Sequence, residues 1–396
     1  MHQQMHEAPA VSLEPMPTMW PNLRVRNTPF TERVEAVGVK GYTVYNHMLL
    51  PIAFRSIVDD YWHLKQDVQV WDVSCQRQIE IVGPDAARLA QMLTPRDLSK
   101  AVPGRCLYAP MVDAAGGLLN DPVILKLADD RFWLSIADLD VGLWVAGLAQ
   151  GMGMAVQVFE ADVSPLAVQG PKADELVARV LGDSIREIGF FRFASVEFMG
   201  HELRAARTGW SKQGGFEIYV DRQDLAEPLW DALFEAGADL DVGPGCPNLI
   251  ERIEGGLLSY GNDITVANNP LECRLDQFCH LDADIDFIGR DALRGIRDDG
   301  PRRRTMGLFL DTESVGPVRH RWPVIAGDEA VGAVTSAAWS PAFGRGVALA
   351  MMEWGWWTPG VEVEVETPDG RVTATVTDLP FPDPPPSPPQ DLPGIC

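Results

Sequence analysis

The chain lacks the long apolar runs that membrane spans and secretion signals need. None of its 396 residues lies in an uninterrupted apolar stretch of about 18, the length needed to cross a bilayer. The opening residues, MHQQMHEAP, contain no basic stretch followed by an apolar one. The sequence therefore predicts a protein that neither spans a membrane nor carries a standard secretion signal.

Cysteine is scarce, and its spacing gives no support to common metal or redox motifs. Six cysteines are scattered without a CxxC pair, and the seven histidines show no ligand spacing. We therefore expect a reduced, cytoplasmic protein without a bound metal. GxxxxGK[ST], HExxH, GxSxG and a strand-borne GxGxxG are also missing, so the usual nucleotide, zinc and acyl-transfer chemistries have no support.

Positive charge is in short supply as well. The chain has 33 Lys and Arg against 56 Asp and Glu, which gives a formal net charge of -23. A field of this sign repels nucleic-acid phosphates and anionic lipids, so neither is an expected partner. Hydrophobic residues make up 46% of the chain, enough for two or three packed units at this length.

The residue pattern predicts an α+β body followed by an all-β domain. RQIEIVG and VILKLADDRFWLSI are typical of strands, whereas PDAARLAQML and KADELVARVLG are typical of amphipathic helices. After PRRRT, six strand-like segments alternate with Gly, Asp and Pro turns. The predicted divisions are a disordered N-terminus (1–22), a body of two interleaved α+β subdomains (23–300), a barrel-like domain (301–382) and a disordered Pro-rich tail (383–396).

Two segments contain candidate site residues. In GWSKQGGFEIYV (209–220) a glycine-rich turn precedes a strand on which Glu217 and Tyr219 share a face. An ordinary turn and strand, with Glu217 solvated and Tyr219 in the core, would look the same. In YAPMVDAAGGLLNDPVILKL (108–127) the Asn120–Asp121 pair interrupts an apolar run, so these residues are either structural hydrogen-bonders or ligand contacts.

These segments, with others in the same order, resemble the glycine-cleavage T-protein superfamily. The others are VWDVS (70–74), SPLAVQGP (164–171), FIGRDAL (287–293) and WSPAFGRGVALA (339–350), and the resemblance covers residues 25 to 380. VEAVGVKGYTVYNHMLLP, GCPNLIERIE and LLSYGND are similar to the branch that demethylates dimethylsulfoniopropionate. The resemblance implies a three-domain cloverleaf around a central channel that holds tetrahydrofolate.

The resemblance also implies roles for individual residues. Glu217 matches the glutamate that binds the pterin, and Tyr108, Trp210 and Tyr219 match aromatic positions that line the pterin and substrate pocket. For each aromatic residue the alternative is simple core packing, and for Lys212 it is solvation. The candidate substrate contacts are Trp210, Tyr219, Ser135, Phe191 and Lys212, and the further candidate cations for a donor carboxylate are Arg204, Arg207 and Arg252.

Asn120 and Tyr219 are the candidate catalytic residues. Asn120 matches the first of two aspartates in the superfamily, which is taken as the essential one. Aminomethyl transfer passes through cationic species that a carboxylate stabilises, whereas a sulfonium donor already carries its charge. The expected reaction is therefore methyl transfer from a sulfonium acid to tetrahydrofolate, with Asn120 in a positioning role.

Several alternatives and partner expectations accompany this hypothesis. The chain could be an aminomethyltransferase, a demethylase of another onium or N-methyl acid, or a non-catalytic folate-binding protein. The last group usually carries a KGCYxGQE-like motif, which is not found in the sequence. A homodimer is a further expectation, and Arg302, Arg303 and Arg304 are a hypothetical attraction for anionic folate tails.

Overall fold

The structure is a computed structural model that describes residues 22–383. The segments expected to be disordered lie outside the described residues, apart from residues 22 and 383. None of the described helices is long and apolar enough to cross a membrane. The described α-helices are α1 (Thr31–Ala36), α2 (Ile57–Gln66), α3 (Ala86–Met92), α4 (Val141–Gly151), α5 (Ala173–Leu181), α6 (Ala226–Ala236), α7 (Leu249–Glu254) and α8 (Arg290–Asp299).

Fifteen strands of the described chain precede residue 300, and six follow it. The first set is β1 (Gly41–Tyr45), β2 (Met48–Ala53), β3 (Val68–Asp72), β4 (Gln78–Val82), β5 (Arg105–Tyr108), β6 (Met111–Val112), β7 (Leu118–Asn120), β8 (Val123–Ala128), β9 (Arg131–Ser135), β10 (Gln157–Glu160), β11 (Ser164–Gln169), β12 (Phe193–Phe198), β13 (His201–Ala206), β14 (Gly215–Val220) and β15 (Val242–Pro244). The second set is β16 (Arg303–Leu310), β17 (Trp322–Ala326), β18 (Glu329–Ser340), β19 (Arg345–Glu353), β20 (Glu362–Thr367) and β21 (Gly370–Thr377).

A six-stranded sheet in the order β12-β13-β14-β11-β3-β15 contains the predicted Glu217 strand. Strand β14 is buried at all six positions, as expected for a strand covered on both faces. Phe216 and Ile218 share a core with Leu176 of α5 and Leu229 of α6. Because side chains alternate along a strand, Glu217 and Tyr219 lie on the opposite face.

A five-stranded antiparallel sheet in the order β10-β4-β9-β8-β5 faces that surface. Helices α3 and α4 cover one side of it, where Leu89 and Val145 pack with Ile81. On its other side, Trp133 of β9 belongs to the same buried cluster as Tyr219 of β14. The two sheets of the body therefore meet around Tyr219.

The six C-terminal strands close into a barrel in the order β16-β19-β18-β17-β20-β21, with β21 paired back to β16. Its outer surface packs on the body through Val347 and Leu349, which share a buried cluster with Tyr61 and Ile253. Glu254 of α7 adds polar contacts, because it accepts hydrogen bonds from the Tyr61 hydroxyl at 2.9 Å and from the Ser340 hydroxyl at 2.6 Å.

Most predicted elements are confirmed. Strands β4, β8 and β9 and helices α3 and α5 lie within the segments that the residue pattern assigned to them, and the six C-terminal segments are all strands of the barrel. The α+β class with an all-β C-terminal barrel is therefore confirmed. The exact boundaries of the two subdomains within 23–300 stay a prediction.

Gly215, the first residue of β14, is expected to tolerate no side chain. Its φ is +142°, and an added Cβ would lie 2.0 Å from the carbonyl oxygen of Val168. Gly214 is a matched control, because its φ is +76° but a Cβ there would meet nothing within 4 Å. Gly214→Ala is expected to cost about 1 kcal/mol through backbone strain alone, and Gly215→Ala about 2 kcal/mol, measured by urea unfolding. Equal losses would contradict the steric part of this argument.

Candidate active site

Glu217 lies near the middle of β14 and is only 6% exposed. The Thr208 hydroxyl donates a short hydrogen bond to its Oε2, and the Tyr219 hydroxyl lies 3.5 Å from the same atom. Among the described residues none donates a hydrogen bond to Oε1. Burial raises the pKa of this carboxyl, and the Thr208 hydrogen bond opposes that shift. The arrangement leaves one carboxylate oxygen for the N–H group of a ligand.

Tyr219 is enclosed by the facing sheet. Its ring is tilted against Trp133 with centroids 5.7 Å apart, and the Ser135 hydroxyl is a group that acts to lower the pKa of its phenol. The Gln78 amide donates to the Ser135 hydroxyl at 3.0 Å. Burial, and then the charge of Glu217, raise the pKa of Tyr219 well above its ordinary value. The phenol therefore stays neutral and can act as a donor.

Tyr108 and Ser135 lie on the same face of the five-stranded sheet. Tyr108 is the register partner of Val123, and Val123 is the register partner of Ser135. Side chains that are directly opposed in an antiparallel sheet point to the same side, and two strand spacings separate Tyr108 from Ser135 by about 10 Å. The predicted residues Tyr108, Ser135, Glu217 and Tyr219 therefore line one inter-sheet region.

Asp121, which the sequence singles out together with Asn120 but does not assign to the site, has the least satisfied carboxylate near Tyr108. Its Oδ2 accepts a hydrogen bond from the Tyr108 hydroxyl at 2.8 Å. Its Oδ1 is buried and has no hydrogen-bond partner among the described residues. Burial raises the pKa of this carboxyl to about 7, and the Tyr108 hydrogen bond opposes the shift. A buried acceptor without a partner is rare, so Oδ1 marks a place for a donor or a cation.

The Tyr108 phenol contacts the Asp121 carboxylate, and the charge of Asp121 also acts on Tyr45 and Tyr260. Burial, and then the charge of Asp121, raise the pKa of Tyr45 and Tyr108 well above the ordinary value and that of Tyr260 to about 12. The Tyr260 hydroxyl donates to the carbonyl oxygen of Leu118 at 2.9 Å. Tyr45 lies in the VEAVGVKGYTVYNHMLLP stretch. The length of this stretch and its match to the family are the sequence signal that could have identified Tyr45 as a site residue.

Asn120 has a structural role in this arrangement. Its side chain is fully buried, its Nδ2 donates to the Ala137 carbonyl oxygen at 3.2 Å, and its Oδ1 accepts from the Ala137 N–H at 2.9 Å. Both ends of the amide are therefore engaged by the backbone that follows β9. Of the two readings open for the Asn120–Asp121 pair, hydrogen bonding within the fold applies to Asn120, and Asp121 offers the free oxygen.

The remaining sequence candidates are less closely gathered. Phe191 is partly buried against the cluster that contains Tyr219. Trp210 is half-buried in the loop before β14, where the Ser211 hydroxyl donates to Gln169. Lys212 is exposed and lines a groove of about 190 Å³ together with Lys65 and Glu251. This groove lies between the body and the barrel.

Three of the candidate cations are already held in ion pairs. Arg252 forms a buried ion pair with Asp263 at 2.5 Å, and Arg207 forms an ion pair with Asp174 at 3.0 Å. Arg303, one of the three hypothetical tail-attracting residues, pairs with Glu272 at 3.1 Å.

Arg204 differs from these cations. It is the register partner of Tyr219 and lies over the Trp133 ring at 5.0 Å, with Asp221 at the longer distance of 3.8 Å. Arg204 is therefore the strongest candidate to meet a donor carboxylate.

The chain belongs to the glycine-cleavage T-protein family. Residues 30–283 match the GCVT N-terminal domain, and residues 303–383 match the glycine cleavage T-protein C-terminal barrel domain. A curated relative, dimethylsulfoniopropionate demethylase DmdA of Ruegeria pomeroyi, is 53% identical over 363 residues, which cover 92% of this chain and 99% of the relative.

Other relatives are less similar in sequence. The aminomethyltransferase of Symbiobacterium thermophilum is 32% identical over 372 residues, which cover 91% of this chain and 98% of the relative. The crystal structure of the glycine cleavage system aminomethyltransferase T from Bartonella henselae aligns with a TM-score of 0.81 at 24% identity, covering 91% of this chain and 99% of that one. At that identity the likeness supports the fold alone.

Proposed function

We propose that the protein transfers a methyl group from dimethylsulfoniopropionate to tetrahydrofolate, which yields 3-methylthiopropionate and 5-methyltetrahydrofolate. The observation that carries this proposal is the buried Asp121 Oδ1, which has no hydrogen-bond partner among the described residues, in a carboxylate that the Tyr108 phenol contacts. The 53% identity to a dimethylsulfoniopropionate demethylase over nearly the whole chain supports the choice of donor.

Glu217 is the proposed pterin contact. A carboxylate can accept N–H donors from an amino-pyrimidine edge, and the Glu217 Oε1, which is free of protein partners among the described residues, can take one of them while Oε2 is shared with Thr208. Burial in the inter-sheet region makes these hydrogen bonds stronger than they would be in water. Glu217 would thereby fix the orientation of the folate relative to Asp121.

The Asp121 carboxylate and its phenols are the proposed contacts of the sulfonium group. Aromatic faces attract a desolvated cation by about 2 kcal/mol, and a buried carboxylate adds direct charge attraction. In the reaction, nitrogen 5 of the folate forms a bond to the methyl carbon, the carbon–sulfur bond breaks, and its electron pair stays on sulfur. The nitrogen then releases its proton to solvent or to a nearby base. The protein's contribution is to hold the partners in line in a dry site.

Aminomethyl transfer is the second candidate function. Asn120 argued against it because a carboxylate had been replaced, but the Asn120 amide is bonded to Ala137 and Asp121 supplies a free carboxylate oxygen close by. Position 120 still lacks a carboxylate, so the argument from the sequence stays a prediction. The other reason to place this function second is the lower identity, 32% against 53%, to an aminomethyltransferase.

The first experiment is an anaerobic incubation of the purified protein with tetrahydrofolate and dimethylsulfoniopropionate. The expected result is the formation of equal amounts of 5-methyltetrahydrofolate and 3-methylthiopropionate, both measured by chromatography. Glycine betaine, a quaternary ammonium acid, is the matched donor control, and an aminomethylated lipoyl carrier protein tests the second function. Turnover of the carrier without turnover of dimethylsulfoniopropionate would refute the proposal.

A further inference from the structure

A buried polar cluster joins the body to the barrel beside the proposed methyl-donor site. Its centre is Asp263, which is 1% exposed and lies in the loop 257–264 after α7. Asp263 Oδ2 accepts hydrogen bonds from the Arg252 guanidinium at 2.5 Å and from the Ser259 N–H at 2.9 Å. Its Oδ1 accepts from the hydroxyls of Thr335 and Ser336 of β18, at 2.6 and 2.7 Å. Every oxygen of this carboxylate is therefore used to attach the loop.

A β-bulge in the barrel makes this double contact possible. Neighbouring residues of a regular strand point to opposite faces, so only one of Thr335 and Ser336 could normally reach Asp263. The register between β18 and β19 shifts between Val334 and Ser336, which leaves Thr335 as the extra residue. Both hydroxyls thereby lie on the side of the body.

The same loop carries one of the phenols around Asp121. Tyr260 lies three residues before Asp263, and its hydroxyl donates to the Leu118 carbonyl oxygen of β7. Tyr260 also packs against the same buried cluster as Tyr108, whose hydroxyl donates to Asp121. The loop is thus attached at one end to the barrel and at the other to the strand that precedes Asp121.

We propose that Asp263 is a positioning residue for the methyl transfer, which acts by clamping loop 257–264 to the bulge of β18 and so holding Tyr260 against β7, the strand that precedes Asp121. In this proposal the barrel contributes to the geometry of the donor site. This inference rests on the proposed function. A purely structural cluster, by contrast, would affect stability without acting through Tyr260.

The test uses Thr335→Val and Ser336→Ala in the full-length protein, each of which removes one hydroxyl from Asp263. Ser340→Ala is the matched control, because its hydroxyl also joins β18 to a body carboxylate, that of Glu254, but does not contact the loop. We expect the first two variants to lower kcat for methyl transfer about tenfold, since small displacements of a site residue have effects of at least this size. The control is expected to keep its kcat within about twofold while losing similar stability.

A double-mutant cycle with Tyr260→Phe tests the route of the effect. If Asp263 acts through Tyr260, the tenfold loss caused by Ser336→Ala should shrink to about twofold or less in the Tyr260→Phe background. An undiminished loss there, or an equal loss in Ser340→Ala, would overturn the proposal.

Hydrogen exchange separates this inference from the proposed function. Faster amide exchange in residues 257–264 of Thr335→Val and Ser336→Ala, with the control unchanged, supports the clamp whatever the donor is. Unchanged exchange in the loop overturns the clamp. Failure of the unmutated protein to demethylate dimethylsulfoniopropionate would instead refute the proposed function.

Discussion

Replacing Asp121 by asparagine is expected to lower kcat/KM for methyl transfer by at least about 100-fold, the loss typical of removing a preorganised electrostatic group. The substitution keeps the size of the side chain and its contact with the Tyr108 hydroxyl, but it removes the charge that faces the sulfonium. Because the loss is electrostatic, the melting temperature should stay close to that of the unmutated protein. Steady-state kinetics at a pH near 8, with both products measured, provide the test.

The pH profile should distinguish charge from shape at this position. Burial raises the pKa of Asp121 to about 7, so in the free protein the carboxyl is mostly protonated below that pH and ionised above it. Since the ionised form is the active one, kcat/KM should rise as pH increases through about 7 and then level off. A bound sulfonium favours the ionised form of Asp121. The acid limb of the pH profile of kcat should therefore lie at lower pH than that of kcat/KM.

The control for this variant is Asp129→Asn, the same change at a carboxylate with 91% side-chain exposure that forms an ion pair with Lys126. It should leave both the rate and the acid limb unchanged. An Asp121→Asn protein that keeps more than a third of the activity, or that keeps the acid limb, would show that Asp121 is not the counter-ion of the donor.

Replacing Glu217 by glutamine is expected to weaken tetrahydrofolate binding about 100-fold, which corresponds to about 2.7 kcal/mol. Glutamine presents one acceptor and one amide donor, so it cannot accept two N–H groups and it carries no charge to strengthen them. The Thr208 hydroxyl can still bond to the new side chain, which should keep the strand intact. Isothermal titration with tetrahydrofolate under anaerobic conditions measures the change.

Glu197→Gln is the matched control, because Glu197 lies on β12 of the same sheet but is exposed. It should bind folate as the unmutated protein does. A Glu217→Gln protein whose dissociation constant changes less than threefold would exclude Glu217 as the pterin contact and would direct the search to the free oxygen of Asp121.

Elements with strong local patterns were predictable from the sequence. Strand β14, with its alternation after a glycine-rich turn, and the six barrel strands between Gly, Asp and Pro turns lie where the pattern places them. The inter-sheet contacts were not predictable in the same way. The sequence predicts that Trp133 lies in a strand, but nothing in the local pattern shows that its ring contacts Tyr219 from another sheet.

The two neighbours Asn120 and Asp121 show the limit most clearly. The sequence indicated that a polar pair in an apolar run must have partners, but the partner of Asn120 is the backbone of Ala137, seventeen residues later. Which of the two side chains keeps a free atom depends on the packing of β7 against the end of β9. The expected homodimer and the cytoplasmic location stay predictions.

The sequence by itself determined the family, the α+β body with its β-barrel, and the strand that presents Glu217, because ordered motifs and side-chain periodicity are local properties of the chain. Only the tertiary structure decided that Asp121 offers the free carboxylate oxygen and that Arg252 is bound to Asp263 and Ser336. The physical reason is that a polar group is available to a ligand only when no distant part of the chain satisfies it, and the Arg252–Ser336 contact joins residues 84 positions apart.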